Sequence, residues 1–320
     1  TISNLDEGAT YQFVVTPTNV HGTGTKASDA LSAVPAARPS QMSKVRVTQA
    51  TDSTSVTFTW DRPTTNGLPV TAYTILLLSA KTSTYVENAA LCNGTSVLNA
   101  ASAETTTYSC NIAMTDITGT LGYSAGAFIK AKATATNDRG SSDESEASDD
   151  SIKAQVAPTA APSGLSGTAT KDSITLTWTP LTANGDIGYS SIKYYLVYNT
   201  TGDDETRVAN VTSTSTTLNN LTPAGNTFKY KVSASNIHGE GPKSGEYSQL
   251  LAGVPDTIAA PTLTQSGKDI VIAWTPPNAN GESIDSYEVL LYDRSGNSNN
   301  YVEHKSLCNG TDYLAQTSPS

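Results

Sequence analysis

The sequence predicts an all-β protein in which one small module has been copied along the chain. Three observations carry this reading. Apolar and polar residues alternate with a period of two in many short runs, as on a strand with one buried face. Thr, Ser, Asn, Ala and Gly dominate the composition, and no long 3.6-residue apolar pattern is present. One punctuated unit, Trp then Pro then Asn-Gly then Tyr, occurs three times.

The middle copy displays the unit best. Ile174, Leu176 and Trp178 alternate with Thr175 and Thr177, and Pro180 ends the ladder because it has no N–H to donate. Asn184-Gly185 supplies residues that tolerate positive φ, so the chain turns into a second alternating run, Tyr194, Leu196 and Tyr198. Trp60 is followed by Pro63, Asn66-Gly67 and the run Tyr73, Ile75, Leu77. Trp274 is followed by Pro276-Pro277, Asn280-Gly281 and the run Tyr287, Val289, Leu291. Asn lies six residues and Gly seven residues after Trp in every copy.

In chain order, residues 1–35 read as the C-terminal part of a module, with alternating Tyr11, Phe13 and Val15 and the turn Asn19-Val20-His21-Gly22. Residues 36–157 form a whole, Cys-bearing module: strand runs at Val45–Val47, Val56–Trp60 and Tyr73–Leu77, an extended stretch holding Cys92 and Cys110, then Ile129–Ala135. Residues 158–254 form a second, more regular module. Residues 255–320 begin another Cys-bearing one. Linkers fall at Val34-Pro35, Ala157-Pro158 and Val254-Pro255.

A longer period runs through this array. Leu91-Cys92-Asn93-Gly94-Thr95 returns as Leu307-Cys308-Asn309-Gly310-Thr311, an offset of 216, and Asn19-Val20-His21-Gly22 returns as Asn236-Ile237-His238-Gly239, an offset of 217. Modules therefore alternate between a short type and a Cys-bearing type, and the parent polypeptide is expected to be longer than this segment.

Trp in the second strand, Tyr opening the third, the corner Leu221-Thr222-Pro223, then Phe228 and Asn236-x-x-Gly239-x-Gly241 resemble the fibronectin type III family. The resemblance covers nearly the whole chain and implies tandem sandwiches of seven strands in two sheets, strung as a beads-on-a-string rod. It places a corner Tyr at Tyr11, whereas Ile129 and Phe228 occupy the matching positions in the later copies. The Cys pair is not a general feature of that family.

Each candidate site has a plain structural reading beside the functional one. Trp60, Trp178 and Trp274 could be sugar-binding platforms, but a Trp alternating with Val or Ile is a core anchor. Cys92 and Cys110 are expected to form a disulfide, with buried thiols or an intermolecular bridge as alternatives, and Cys308 is expected to pair with a residue beyond the chain end. His21 and His238 share one turn, where Arg139 stands in the Cys-bearing copy, and a hydrogen-bonding turn residue outweighs a catalytic one. Asp138 and the run Asp143-Glu144-Ser145-Glu146 with Asp149-Asp150 form an acidic edge or, less readily, a Ca²⁺ site at a joint; their spacing fits no EF-hand.

Three Cys and three His without Cys-x-x-Cys or His-x-x-x-His spacing give no metal site, and no nucleophile sits in a recognisable His or carboxylate pattern. No enzyme activity and no cofactor are expected. Formal net charge of -10, with 19 scattered basic residues, argues against a nucleic-acid surface, and no run has the roughly 20 apolar residues of a membrane span. Sequons at Asn93, Asn199, Asn210, Asn220 and Asn309 point to N-linked glycans and an extracellular or cell-surface setting.

The function expected is that of a structural stalk, fibre or surface-appendage filament, contacting copies of itself or neighbouring subunits. Two alternatives stand beside it: a ligand-binding adhesion or receptor ectodomain, and a spacer in a secreted carbohydrate-active enzyme.

Overall fold

The structure is a computed structural model of the chain and describes residues 1–102, 104–292 and 301–303. It divides into two compact units. The first holds Thr1–Ala160, Thr182–Ile192 and Ser235–Glu240; the second holds Ala161–Leu181, Lys193–Ala234 and the chain from Gly241 onward.

The first unit opens with four short strands: β1 (Tyr11–Phe13), β2 (Thr18–Asn19), β3 (Gly22–Thr23) and β4 (Leu31–Ala33). β1 pairs with β4 and β2 with β3, both antiparallel. A complete two-sheet sandwich follows. Its strands are β5 (Arg46–Gln49), β6 (Ser55–Asp61), β7 (Ala72–Ser79), β8 (Thr84–Glu87), β9 (Thr107–Ala113), β10 (Ala131–Asn137) and β11 (Gly140–Ser141). One sheet runs β5-β6-β9 and the other β11-β10-β7-β8.

Alternation in the sequence becomes alternation of burial. Val56, Phe58 and Trp60 on β6 and Tyr73, Ile75 and Leu77 on β7 are buried between the sheets. Trp60 meets Tyr73 edge-on at 6.0 Å between ring centroids and lies parallel to Tyr108 at 6.2 Å, arrangements the ring quadrupole favours. The strands flanking Asn66-Gly67 lie in opposite sheets, so that turn makes a crossing between layers and not a hairpin.

The stretch between Tyr85 and Ile129 is not simply extended, as the sequence reading has it. It contains two short helices, α1 (Gly94–Ala100) and α2 (Met114–Thr118). Asn93 is the N-cap of α1, its Oδ1 accepting the Ser96 N–H at 2.9 Å. Val97 and Leu98 pack on the core. A helix of two turns leaves too short an apolar pattern to register a 3.6-residue period.

After β11 the chain runs beside β10 with an unusual period. The N–H groups of Ser142, Ser145 and Ser148 donate to the carbonyls of Ala135, Ala133 and Ala131 at 2.8, 2.9 and 2.9 Å. Their hydroxyls accept the N–H groups of the same alanines at 3.1, 3.0 and 3.0 Å. Each Ser thus satisfies both backbone groups of its partner, at every third residue where a strand would pair at every second. Carboxylates between and after these serines pair with separate cations: Asp143 with Arg38, Glu144 with Lys132, Asp149 with Lys44 and Asp150 with Lys130. They therefore diverge rather than converge on one point.

Further along the chain, β12 (Ser163–Ala169), β13 (Ile174–Thr179), β14 (Tyr194–Asn199), β15 (Thr206–Val211), β16 (Ser215–Leu218), β17 (Thr227–Asn236), β18 (Gly239–Lys243) and β19 (Tyr247–Leu250) form another sandwich. Its sheets are β12-β13-β16 and β15-β14-β17-β18, with β19 also on β17. Between β18 and β19, Ser244 repeats the serine bond on Val232, with Oγ 3.0 Å from the Val232 nitrogen.

The buried face of β14 differs from the alternation expected. Tyr195 lies against Trp178 at 5.6 Å, while Tyr194 and Tyr198 are only half-buried. The preceding loop is longer here, and its extra residues shift the tyrosine that meets the indole. The chain continues as β20 (Thr262–Ser266), β21 (Asp269–Ala273), β22 (Leu290–Tyr292) and β23 (Tyr301–Glu303), pairing β20 with β21 and β22 with β23. Trp274 and Tyr287 lie 5.4 Å apart.

Candidate functional site

The most strongly repeated chemistry in the chain lies at its linkers. Three elements converge there: the corner glycine before a module's last pair of strands, the linker itself, and the turn after the next Trp strand. At the first joint the Gly8 N–H donates to the Pro35 carbonyl at 2.9 Å, and the Ala37 N–H donates to the Asn66 carbonyl at 2.9 Å. At the second, Gly126 N–H meets the Ala154 carbonyl at 2.9 Å and Val156 N–H the Gly188 carbonyl at 3.0 Å. At the third, Gly225 N–H meets the Leu251 carbonyl at 2.8 Å and Gly253 N–H the Asn280 carbonyl at 2.9 Å. The first two joints lie within the first unit and the third within the second.

In each case a linker carbonyl is held from behind and the amide two residues later is held from ahead. One residue stands between the two bonds.

Two kinds of turn build these joints. Asn66-Gly67 and Asn280-Gly281 take positive φ at both residues, 51° and 91° in one, 53° and 97° in the other. A Cβ on Gly67 would lie 2.6 Å from the Gly8 nitrogen, and one on Gly281 would lie 2.5 Å from the Gly225 nitrogen, so backbone presses on backbone. The second joint departs from the sequence expectation. Positive φ belongs to Gly188 and Tyr189, at 67° and 59°, and Asn184-Gly185 has none. A Cβ on Gly126 would strike the Tyr189 ring, so an aromatic ring covers the corner that a glycine covers elsewhere. Lys153 Nζ sits 5.0 Å from the Phe128 ring and 5.1 Å from the Tyr189 ring.

A second asparagine clamps the linker from the side. Asn137 Nδ2 donates to the carbonyls of Ala37 and Thr65 at 2.9 and 3.1 Å, and its Oδ1 accepts the Arg139 N–H. Asn236 does the same with Val156 and Ile187 at 2.8 and 3.0 Å, its Oδ1 accepting the His238 N–H. Asn19 Oδ1 likewise accepts the His21 N–H at 2.9 Å. The equivalent positions His21, Arg139 and His238 therefore all close an Asn turn. His238 also reaches across, with Nε2 3.0 Å from Gln155 Oε1, and burial holds its pKa below the ordinary imidazole value.

The remaining residues singled out in the sequence fall as follows. Trp60, Trp178 and Trp274 are 0%, 5% and 8% exposed. Cys92 and Cys110 are bonded to each other, with Cα atoms 5.7 Å apart. Asn93, Asn210 and Asn220 are exposed, and Asn199 is half-buried with its Oδ1 accepting the Thr201 N–H at 2.8 Å. Cys308 and Asn309 lie outside the described residues. The Tyr11 hydroxyl accepts the Asp6 N–H at 3.0 Å, the corner bond its position implies. In the following module, where Ile129 stands at that position, Tyr123 supplies a hydroxyl that accepts the Lys130 N–H at 3.1 Å. Among the described residues no group of His, Cys, Asp or Glu is placed to hold a metal ion, and no helix is long and apolar enough to cross a membrane.

Two-sheet sandwiches in series, with linkers bonded on both sides, define a tandem β-sandwich repeat protein. Residues 160–249 match the model of the fibronectin type III domain. Among solved structures it is similar to the FN1-FN3 domains of chicken CNTN1, at 20% identity over 83% of this chain and 85% of that one, with a TM-score of 0.31. It is also similar to a run of domains from titin, at 18% identity over 76% of this chain and 74% of that one, with a TM-score of 0.36. Comparison with curated proteins gave no match.

Proposed function

We propose that this chain belongs to a structural extracellular repeat protein, a glycosylated stalk, fibre or surface-appendage subunit whose reach is set by the number of modules. The observation that supports this is the threefold recurrence of the stitched linker. A linker with one residue between two backbone hydrogen bonds has few torsions left to vary, so little conformational entropy remains to let the joint hinge.

Two further features agree with it. The Cys92–Cys110 bond suits an oxidising compartment. The Asn93 and Asn199 side chains each use Oδ1, and not Nδ2, the atom that carries a glycan, in a local hydrogen bond to the backbone. Glycans at Asn93, Asn199, Asn210, Asn220 and Asn309 would then coat the modules, and neighbouring copies would be the partners.

Electron microscopy of the native material tests this reading. A filament whose axial repeat corresponds to two modules is expected, and dispersed monomers would overturn it. Mass loss on enzymatic removal of N-glycans tests the coating independently.

A further inference from the structure

Five Asn-Gly pairs punctuate the sequence, at Asn66, Asn93, Asn184, Asn280 and Asn309. Such pairs are chemically unstable. Glycine carries no side chain to hinder its backbone nitrogen from attacking the Asn Cγ. The attack needs an Asn side chain free to rotate and open space around the following glycine.

The structure separates the four pairs it describes. Asn66 Nδ2 donates to the Arg38 carbonyl at 2.8 Å and to Ser40 Oγ at 3.4 Å, and Gly67 is pressed against Gly8 and Pro35. Asn280 is 5% exposed, its Nδ2 donates to the Val254 carbonyl and to Asp256 Oδ1 at 2.8 and 2.9 Å, and Gly281 is pressed against Gly225 and Leu251. Asn93 Oδ1 is engaged with the Ser96 N–H, and Gly94 is buried against the Tyr73 carbonyl. Asn184 is exposed, its side-chain amide has no partner among the described residues, and the space around Gly185 is open, with nothing within 4 Å of a Cβ placed there.

We propose that Asn184 is a self-modification site, converting to aspartate and isoaspartate with water as the co-reactant, while Asn66, Asn93 and Asn280 are held inert by the fold. The Gly185 nitrogen forms a bond to Asn184 Cγ, the Cγ–Nδ2 bond breaks, and ammonia leaves with the proton from the Gly185 amide. Water then opens the resulting succinimide at either carbonyl. Opening at one carbonyl gives aspartate; opening at the other gives isoaspartate and routes the main chain through an added methylene.

The consequence falls on the second joint. The Asn184 carbonyl accepts the Tyr189 N–H at 2.8 Å, and the Gly185 carbonyl accepts both the Gly188 N–H at 3.0 Å and Thr159 Oγ1 at 2.7 Å. Isoaspartate displaces these acceptors in the very turn whose Gly188 carbonyl holds Val156. The second joint thereby ages while the Asn66 and Asn280 joints do not.

The test is peptide mapping of the whole chain, produced without glycans and with its disulfide intact, after incubation at mildly alkaline pH. Mass spectrometry with electron-transfer fragmentation distinguishes the two products. In the folded chain Asn184 should convert about tenfold or more faster than the other three, because hydrogen bonds must open there before attack. In denaturant the four should converge. Conversion of Asn66, Asn93 or Asn280 at the rate of Asn184 in the folded chain, or no conversion at Asn184, overturns the assignment. Hydrogen exchange at the Val156 amide should rise in the aged fraction, and an unchanged rate would overturn the effect on the joint.

Discussion

A single indole shows how much one side chain carries. Trp178 is 5% exposed and packs on Tyr195, so Trp178→Ala removes a large buried surface and is expected to cost about 3–5 kcal/mol. Chemical denaturation followed by hydrogen exchange of β13 and β14 peptides would measure it, with β6 and β7 as the unaffected internal standard. His238 makes a subtler prediction. Burial lowers its folded-state pKa below the unfolded value, so the folded state binds fewer protons in the interval between them. Its contribution is fully present above the ordinary imidazole pKa and is lost as pH falls through the interval. Protection of the Gln155–Val156 amides, corrected for the intrinsic pH dependence of exchange, should therefore fall as pH drops below the ordinary imidazole value of about 6.5, and His238→Gln should flatten that dependence. At this scale the sequence was informative where pattern decides. Trp, Pro and Asn-Gly announced the anchors and turns. Tyr195 was missed because the inserted loop residues moved the indole's partner by one position, and a shift of one residue on a strand exchanges its faces.

At the scale of elements, the disulfide and α1 belong together. Cys92 precedes the helix and Cys110 lies on β9, so the bond ties the helical excursion to the β5-β6-β9 sheet. Replacing both cysteines by serine is expected to destabilise the module by about 2–4 kcal/mol, with the loss of exchange protection greatest across residues 88–113. The linker turns give a sharper test. Gly281→Ala must place a Cβ against the Gly225 nitrogen at a φ of 97°, so it should free the amides of Gly225 and Gly253 to exchange, whereas Gly185→Ala, in open space, should leave its joint intact. The joints were half-legible: Asn66-Gly67 and Asn280-Gly281 stood out, but their backbone partners at Gly8, Pro35, Gly225 and Leu251 could not be read, because carbonyl and amide bonds leave no residue signature. The serine edge did have one. Ser142-x-x-Ser145-x-x-Ser148 is visible in the sequence, and a search for periods of two and 3.6 passes over a period of three.

At the scale of the whole chain, the offset of 216 to 217 residues was open to reading from Cys, Asn and His alone. Two joint chemistries then follow in alternation, because each module presents its own corner and its own turn. Short modules end in the Gly8 or Gly225 corner and meet an Asn-Gly turn, while the Cys-bearing module ends in Gly126 and meets Gly188-Tyr189. The genetic consequence is specific. Unequal crossing-over that dropped a single module would seat a corner on a turn for which neither was shaped, whereas loss or gain of a pair would leave every interface as it was.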